Sequence, residues 1–216
     1  GARADADAIA LLKPFIYDAD TDLASAAIAA LGLVSGRPAA AALADGRSKA
    51  SPVLREKILE SLLTCAARLA KREEPESAEP IYRDLAGPNQ PGPIRIGALE
   101  GMTQLAGKGA LPLLQEALRG TDARVRDAAV NLISRLPGAD VTELLVTELA
   151  RQPIDGRVRL LFALGRRPEP AARQALRGQA GASEDSLRIA ALEGLGNIGV
   201  GSDILLLAEH AAGAKG

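Results

Sequence analysis

Asp122-Ala123-Arg124-Val125-Arg126-Asp127-Ala128-Ala129-Val130-Asn131-Leu132-Ile133 decides the fold of this 216-residue chain. Val125, Ala129, Val130 and Ile133 follow the i, i+4, i+5, i+8 spacing of a helix with one buried face. Asp122 stands where an N-cap belongs, its carboxylate suited to the orphan amides of the first turn. The pattern returns at Asp185-Ser186-Leu187-Arg188-Ile189-Ala190-Ala191-Leu192-Glu193-Gly194-Leu195-Gly196, and again in Ile94, Ala98, Leu99 and Met102.

Taking the last apolar residue of each stretch as an anchor gives Leu31, Leu62, Met102, Ile133, Leu164 and Leu195, spaced by 31, 40, 31, 31 and 31 residues. One period with a single nine-residue insertion is the mark of stacked repeats, each burying its face against its neighbours. Every unit reads as a short Ala- and Leu-rich helix, here called A, followed by the anchored helix, B. Asp20, Ser51 and Asp122 are expected N-caps of B helices, and Glu184 a poorer one. Gly32, Gly165 and Gly196 follow their anchors directly, either for close helix contact or to loosen the last turn.

The sequence therefore predicts an all-α fold, a right-handed α-solenoid of about six and a half helical hairpins over residues 1–216, read as one domain. The insertion between Leu62 and Met102 predicts a longer B helix and polar turn, locally like a tetratricopeptide hairpin. Gly87-Pro88-Asn89-Gln90-Pro91-Gly92-Pro93 then forces a non-helical connection, so a bend is expected near residues 86–93. The terminal helices are expected to be polar outside, with Arg3, Asp5 and Asp7 at the front and Glu209, His210 and Lys215 at the back. The chain starts Gly1-Ala2-Arg3 without methionine, which reads as a processed or excised piece of a longer protein.

Composition narrows the function. Apolar residues make up 47% of the chain but aromatics only 2%, so a nucleotide, chromophore or base-stacking pocket is disfavoured. Lys and Arg total 26 against 27 Asp and Glu, opposite to what a phosphate-neutralising protein needs. No stretch approaches the ~20 apolar residues of a membrane helix. Cys65 stands alone, which excludes an internal disulfide, and among alanines and leucines it reads as a buried inert thiol. His210, the only histidine, has no second ligand at metal spacing. No nucleophile turn or phosphate-cradling loop occurs, and the Glu73-Glu74 pair lies in a polar turn where nothing would shift its pKa. No cofactor is expected.

The Asp-x-x-Val-Arg-x-x-Ala-x-x-x-Ile/Leu pattern resembles HEAT-like repeats of the bacterial, phycobilin-lyase-like type. It covers nearly the whole chain; repeat five departs, with Val158-Arg159 two residues late. The order of features is also similar to HEAT segments appended to larger exported bacterial proteins, which points to export, with the cytoplasm as the alternative.

Seven residues before the anchors stand Arg55, Arg95, Arg126, Arg157 and Arg188. That offset is nearly two turns, so these arginines share the anchored face and need partners. The resemblance implies a structural ladder to aspartates of adjoining units, with Asp20, Asp122, Asp155 and Asp185 as candidates; the other reading is an anion-binding row. The outward face of B includes Glu56, Glu60, Glu100, Arg124, Asp127, Asn131, Phe162 and Glu193. In HEAT-like stacks this face lines the concave groove, and it leans acidic. It reads either as a protein-binding groove with Phe162 as a hot spot, or as a solvated charged face with Phe162 tucked inward, the latter being preferred.

The expected function is a monomeric, non-catalytic module that binds a protein or spaces neighbouring domains, with neither nucleic-acid binding nor membrane insertion. A bilin or tetrapyrrole lyase-like activity, implied by the resemblance alone, and a chaperone-like activity are the alternatives; a DNA-binding module would need a basic, aromatic groove.

Overall fold

The computed structural model describes residues 2–34, 36–72 and 74–213, with the side chains of 2–5 and 210–213 set aside. Glu73 and Lys215 lie outside the described residues, as do the side chains of Arg3, Asp5 and His210. Among the described residues the chain is helical throughout, with no strand. Its contacts divide it into two compact units, residues 1–113 and 114–216.

In the first unit, α1 (Ala2–Leu12) runs into a 3-10 turn (Lys13–Tyr17), followed by α2 (Thr21–Val34) and α3 (Arg37–Arg47). Then come α4 (Pro52–Lys71), α5 (Pro75–Leu85) and α6 (Gly92–Ala106). Here α2, α4 and α6 are the B helices, and α2 and α6 each pack against α4. The anchors Leu31, Leu62 and Met102 are all buried, as are the residues three and four positions before each. Gly32 lets α2 approach α4 closely, since a Cβ there would stand 2.9 Å from the Ser61 carbonyl oxygen. The inserted residues lengthen α4 to 20 residues, against 14 in α2. Tyr82 of α5 lies on Gly101 of α6, where a Cβ would be 2.3 Å from the ring.

The proline-rich stretch does not break the fold. Residues 86–91 make a tight turn within the first unit, tied by the Gln90 side-chain amide to the Asp84 carbonyl and by Arg95 to the Ala86 carbonyl. The boundary between the two units falls at 113/114. Proline density here shapes the entry to α6, which tolerates Pro93 in its first turn.

The second unit contains α7, which starts just before the boundary (Leu111–Arg119), then α8 (Ala123–Arg135), α9 (Ala139–Leu149) and α10 (Ile154–Leu164). It continues with α11 (Pro170–Gln179), α12 (Asp185–Ile198), a 3-10 turn (Gly201–Asp203) and α13 (Ile204–Gly213). The B helices α8, α10 and α12 pack in succession, α10 against each neighbour. Ile133, Leu164 and Leu195 are fully buried. At the α10/α12 crossing Gly165 faces Gly194, where a Cβ on Gly165 would stand 2.6 Å from the Gly194 Cα. Gly196 has open space beside it, so the glycines after the anchors do not share one role.

Asp20, Ser51 and Asp122 each accept a hydrogen bond from a first-turn amide, as N-caps do, whereas Glu184 does not. Of the polar end residues expected, Asp7 and Glu209 are exposed, but so are the apolar Leu11, Ile204 and Leu205 beside them. No helix is long and apolar enough to cross a membrane among the described residues.

Candidate functional site

The B-helix arginines belong to the scaffold, in a different way from the expected ladder. Arg55 donates to the Arg47 and Ala50 carbonyls, Arg95 to Ala86, Arg126 to Gly120 and Thr121, and Arg188 to Ala182. Each acceptor lies at the end of the A helix or in the turn that leads into the same B helix. The guanidinium thus satisfies carbonyls that the helix end leaves open, where a cation is favoured.

No aspartate of an adjoining unit is needed. Asp122 caps α8, Asp185 pairs with Arg188 three residues on, and Asp155 is exposed in the first turn of α10. Only Arg95 is buried, and Arg55 is exposed. In repeat five Gln152 lies against Gly156 and donates to the Leu118 carbonyl, while Arg157 donates to the Gln179 side chain.

The ion pairs that join successive hairpins run between other residues. Arg47 at the end of α3 meets Asp84 of α5 at 2.6 Å. Arg119 at the end of α7 meets Glu148 of α9 at 2.5 Å, with Arg151 at 3.0 Å and Gln115 at 2.8 Å on the same oxygen. Arg177 of α11 pairs with Asp203, whose other oxygen accepts from the Val200 amide. These carboxylates were not anticipated; the signal available was an arginine in the last turn of A helices.

Burial pushes the Glu148 carboxyl up, but hydrogen bonds from Arg119, Gln115 and Arg151 together outweigh it and hold the group below the ordinary 4.5. Asp203 is held below 3.8 by Arg177 and the Val200 amide, against a smaller opposing effect of burial. A carboxyl whose folded pKa lies below its unfolded value stabilises fully above the unfolded value, and that contribution is lost as pH falls through the folded one. Urea midpoints should therefore stay level from about pH 7 to 5 and fall below about pH 4. Glu148→Gln should lower the neutral plateau and flatten the acid limb.

On the outward B face the expected residues separate. In the first unit Glu60 pairs with Lys57, Glu100 is exposed, and Glu56 edges an open cleft of about 870 Å³ near Arg47, Asp84 and Asn89. In the second unit Arg124 and Glu193 are exposed. Asp127, Asn131 and Phe162 do come together, in a cleft of about 270 Å³ between α8 and α10 that is also lined by Val130, Ser134, Arg159, Ala163 and Arg166. Phe162 is 43% exposed rather than tucked inward. The register of α10 keeps Leu160, Leu161 and Leu164 in the core, which leaves residue 162 facing out.

The expected acidic lean does not hold in this cleft. Arg159 reaches Asp127 at 2.9 Å and neutralises it, and Arg166 remains. Ser134, its hydroxyl, donates to the Val130 carbonyl. Sequence reasoning missed Arg159 and Arg166 because neither falls in the register that placed Asp127, Asn131 and Phe162 outward. Burial pushes the Cys65 thiol up, so it stays protonated. Among the described residues no group of three or more His, Cys, Asp or Glu is placed to hold a metal ion.

Among solved structures the chain is similar to Escherichia coli YibA, with a TM-score of 0.59 at 16% identity over 95% of this chain and 76% of that one. The chain has a HEAT-like repeat fold. Human deoxyhypusine hydroxylase in complex with glycerol also matches, at TM-score 0.49 and 19% identity over 88% of this chain and 84% of that one. So does the complex of CpcE and CpcF of phycocyanin lyase from Nostoc sp. PCC7120, at 0.36 and 22% over 93% and 94%. No family model matches the sequence, and no curated protein matches it.

Proposed function

We propose that this chain is a non-catalytic binding module that docks another protein, or a neighbouring domain, on the outward faces of its B helices. The observation that supports it most is the exposure of large apolar residues there, Phe162 on α10 and Ile189 on the adjoining α12. A ring left in solvent at the mouth of a cleft, ringed by polar groups, is the arrangement of an interface anchor. The chemistry around it favours binding over reaction. Asp127 is neutralised by Arg159 and Ser134 is bonded to a carbonyl, so neither is poised as base or nucleophile.

Photoreactive amino acids at positions 162 and 189, with exposed Glu143 of α9 as control, test this in the cell that makes the protein. Adducts at 162 and 189, competed by the unlabelled chain and missing at 143, are expected. A search of every outward B position that yields no adduct would end the reading. So would a new visible absorbance band formed on a bilin by the purified chain.

A further inference from the structure

We propose that the α8/α10 cleft takes an extended acidic peptide, with a carboxylate of the peptide at Arg166 and a neighbouring apolar side chain against Phe162. This rests on the binding-module reading above and names its partner by chemistry.

Charge is the first ground. Inside the cleft Asp127 and Arg159 cancel at 2.9 Å, which leaves the Arg166 guanidinium without an ion pair or side-chain hydrogen bond among the described residues. Arg135 occupies the equivalent position on α8, two residues past its anchor, and is also exposed without a partner among them. A ligand entering at this end meets uncompensated positive charge. Arginine's planar fork suits a carboxylate better than a neutral group.

Size and lining are the second. A volume of about 270 Å³ falls below the roughly 300–1,000 Å³ of small-molecule sites. It fits one or two side chains of a longer ligand that runs along the surface. Val130 and Ala163 give the cleft an apolar floor beside the Phe162 ring. Asn131 is exposed beside them, its side-chain amide unbonded among the described residues. That amide can both donate to and accept from one peptide unit of an extended backbone. Carboxylate, apolar side chain and backbone amide thus each have a counterpart within one cleft.

Fluorescein-labelled peptides of equal length, titrated into the full chain and followed by anisotropy, test the proposal. One alternates Glu with Leu, a second replaces Glu by Lys, and a third replaces Leu by Ser. The Glu–Leu peptide should bind, more weakly as salt rises, and the other two at least about tenfold more weakly, the loss expected for one charge-assisted contact. Arg166→Glu should weaken the Glu–Leu peptide by about tenfold or more and strengthen the Lys–Leu peptide. Phe162→Ala should weaken the Glu–Leu peptide and leave the Ser-containing one unchanged. Both residues are exposed, so circular dichroism should show each variant folded.

Equal binding of the Glu and Lys peptides, or an Arg166→Glu variant with unchanged affinity, overturns the proposal. Retention of a single-stranded oligonucleotide in place of the Glu–Leu peptide does the same. Adducts at position 162 in cells with no peptide binding would sink this inference alone and leave the module reading standing.

Discussion

Arg167→Leu should destabilise the second unit by about 3–5 kcal/mol. Arg167 is 6% exposed, and its guanidinium donates to the Thr142 hydroxyl and to the carbonyls of Ser134, Leu136 and Gly138. The acceptors lie at the end of α8, in the turn to α9 and in α9 itself, so one side chain from the following repeat closes that corner. Each carbonyl left without a donor costs about 1–3 kcal/mol, less whatever entering water recovers. Glu169, 3.7 Å away, would lose its counter-ion. Arg167→Lys keeps the charge but not the planar fork, so it should restore less than half of the loss. Urea unfolding followed by circular dichroism gives the magnitude, and amide exchange should show residues 134–142 opening first. A loss under about 1 kcal/mol would mean the hydrogen bonds are replaceable by water.

Gly165→Val should cost about 3 kcal/mol and Gly165→Ala somewhat less, at the upper end of what overpacking costs. The obstacle is backbone: an added Cβ stands 2.6 Å from the Gly194 Cα, and no rotamer change relieves that. A Cβ on Gly194 would in turn stand 2.7 Å from Leu176, so both glycines of the crossing are tightly enclosed. Helices α10 and α12 would have to separate, and with them the outward faces that carry Phe162 and Ile189. Gly196 on the same α12 is the internal control. Open space surrounds it, so Gly196→Ala should be neutral or gain up to about 1 kcal/mol from helix propensity. Equal effects at 165 and 196 would contradict the close crossing.

The helical repeat was legible because one period set both the anchors and their stripe. Leu31, Leu62, Met102, Ile133, Leu164 and Leu195 all proved buried. Helix starts were legible for the same reason, since Asp20, Ser51 and Asp122 needed only local chemistry to be recognised as caps. Contacts between repeats were less so. Arg119 lies 29 residues from Glu148 and Arg177 lies 26 from Asp203, so no fixed offset ties the partners. Between the neighbours Arg166 and Arg167, sequence does not say which is buried. The latter closes the α8–α9 corner and the former lines the cleft.

The cleft itself was half visible. Asp127, Asn131 and Phe162 were assigned to one face, yet the face was read as acidic because Arg159 fell outside the assigned register. Side chains five residues before an anchor can reach over the groove when the neighbouring helix offers a counter-charge, as Asp127 does. The prolines and glycines of residues 86–93 predicted irregular backbone, which is present and is held by Gln90 and Arg95.

Hydroxyl-radical footprinting of Phe162 bears most directly on the claim that the B face of the second unit is an open docking surface. In the free protein Phe162 should be oxidised readily and Leu161, which is fully buried, hardly at all; adding the Glu–Leu peptide should protect Phe162. A free protein in which Phe162 is as resistant as Leu161 would contradict the account.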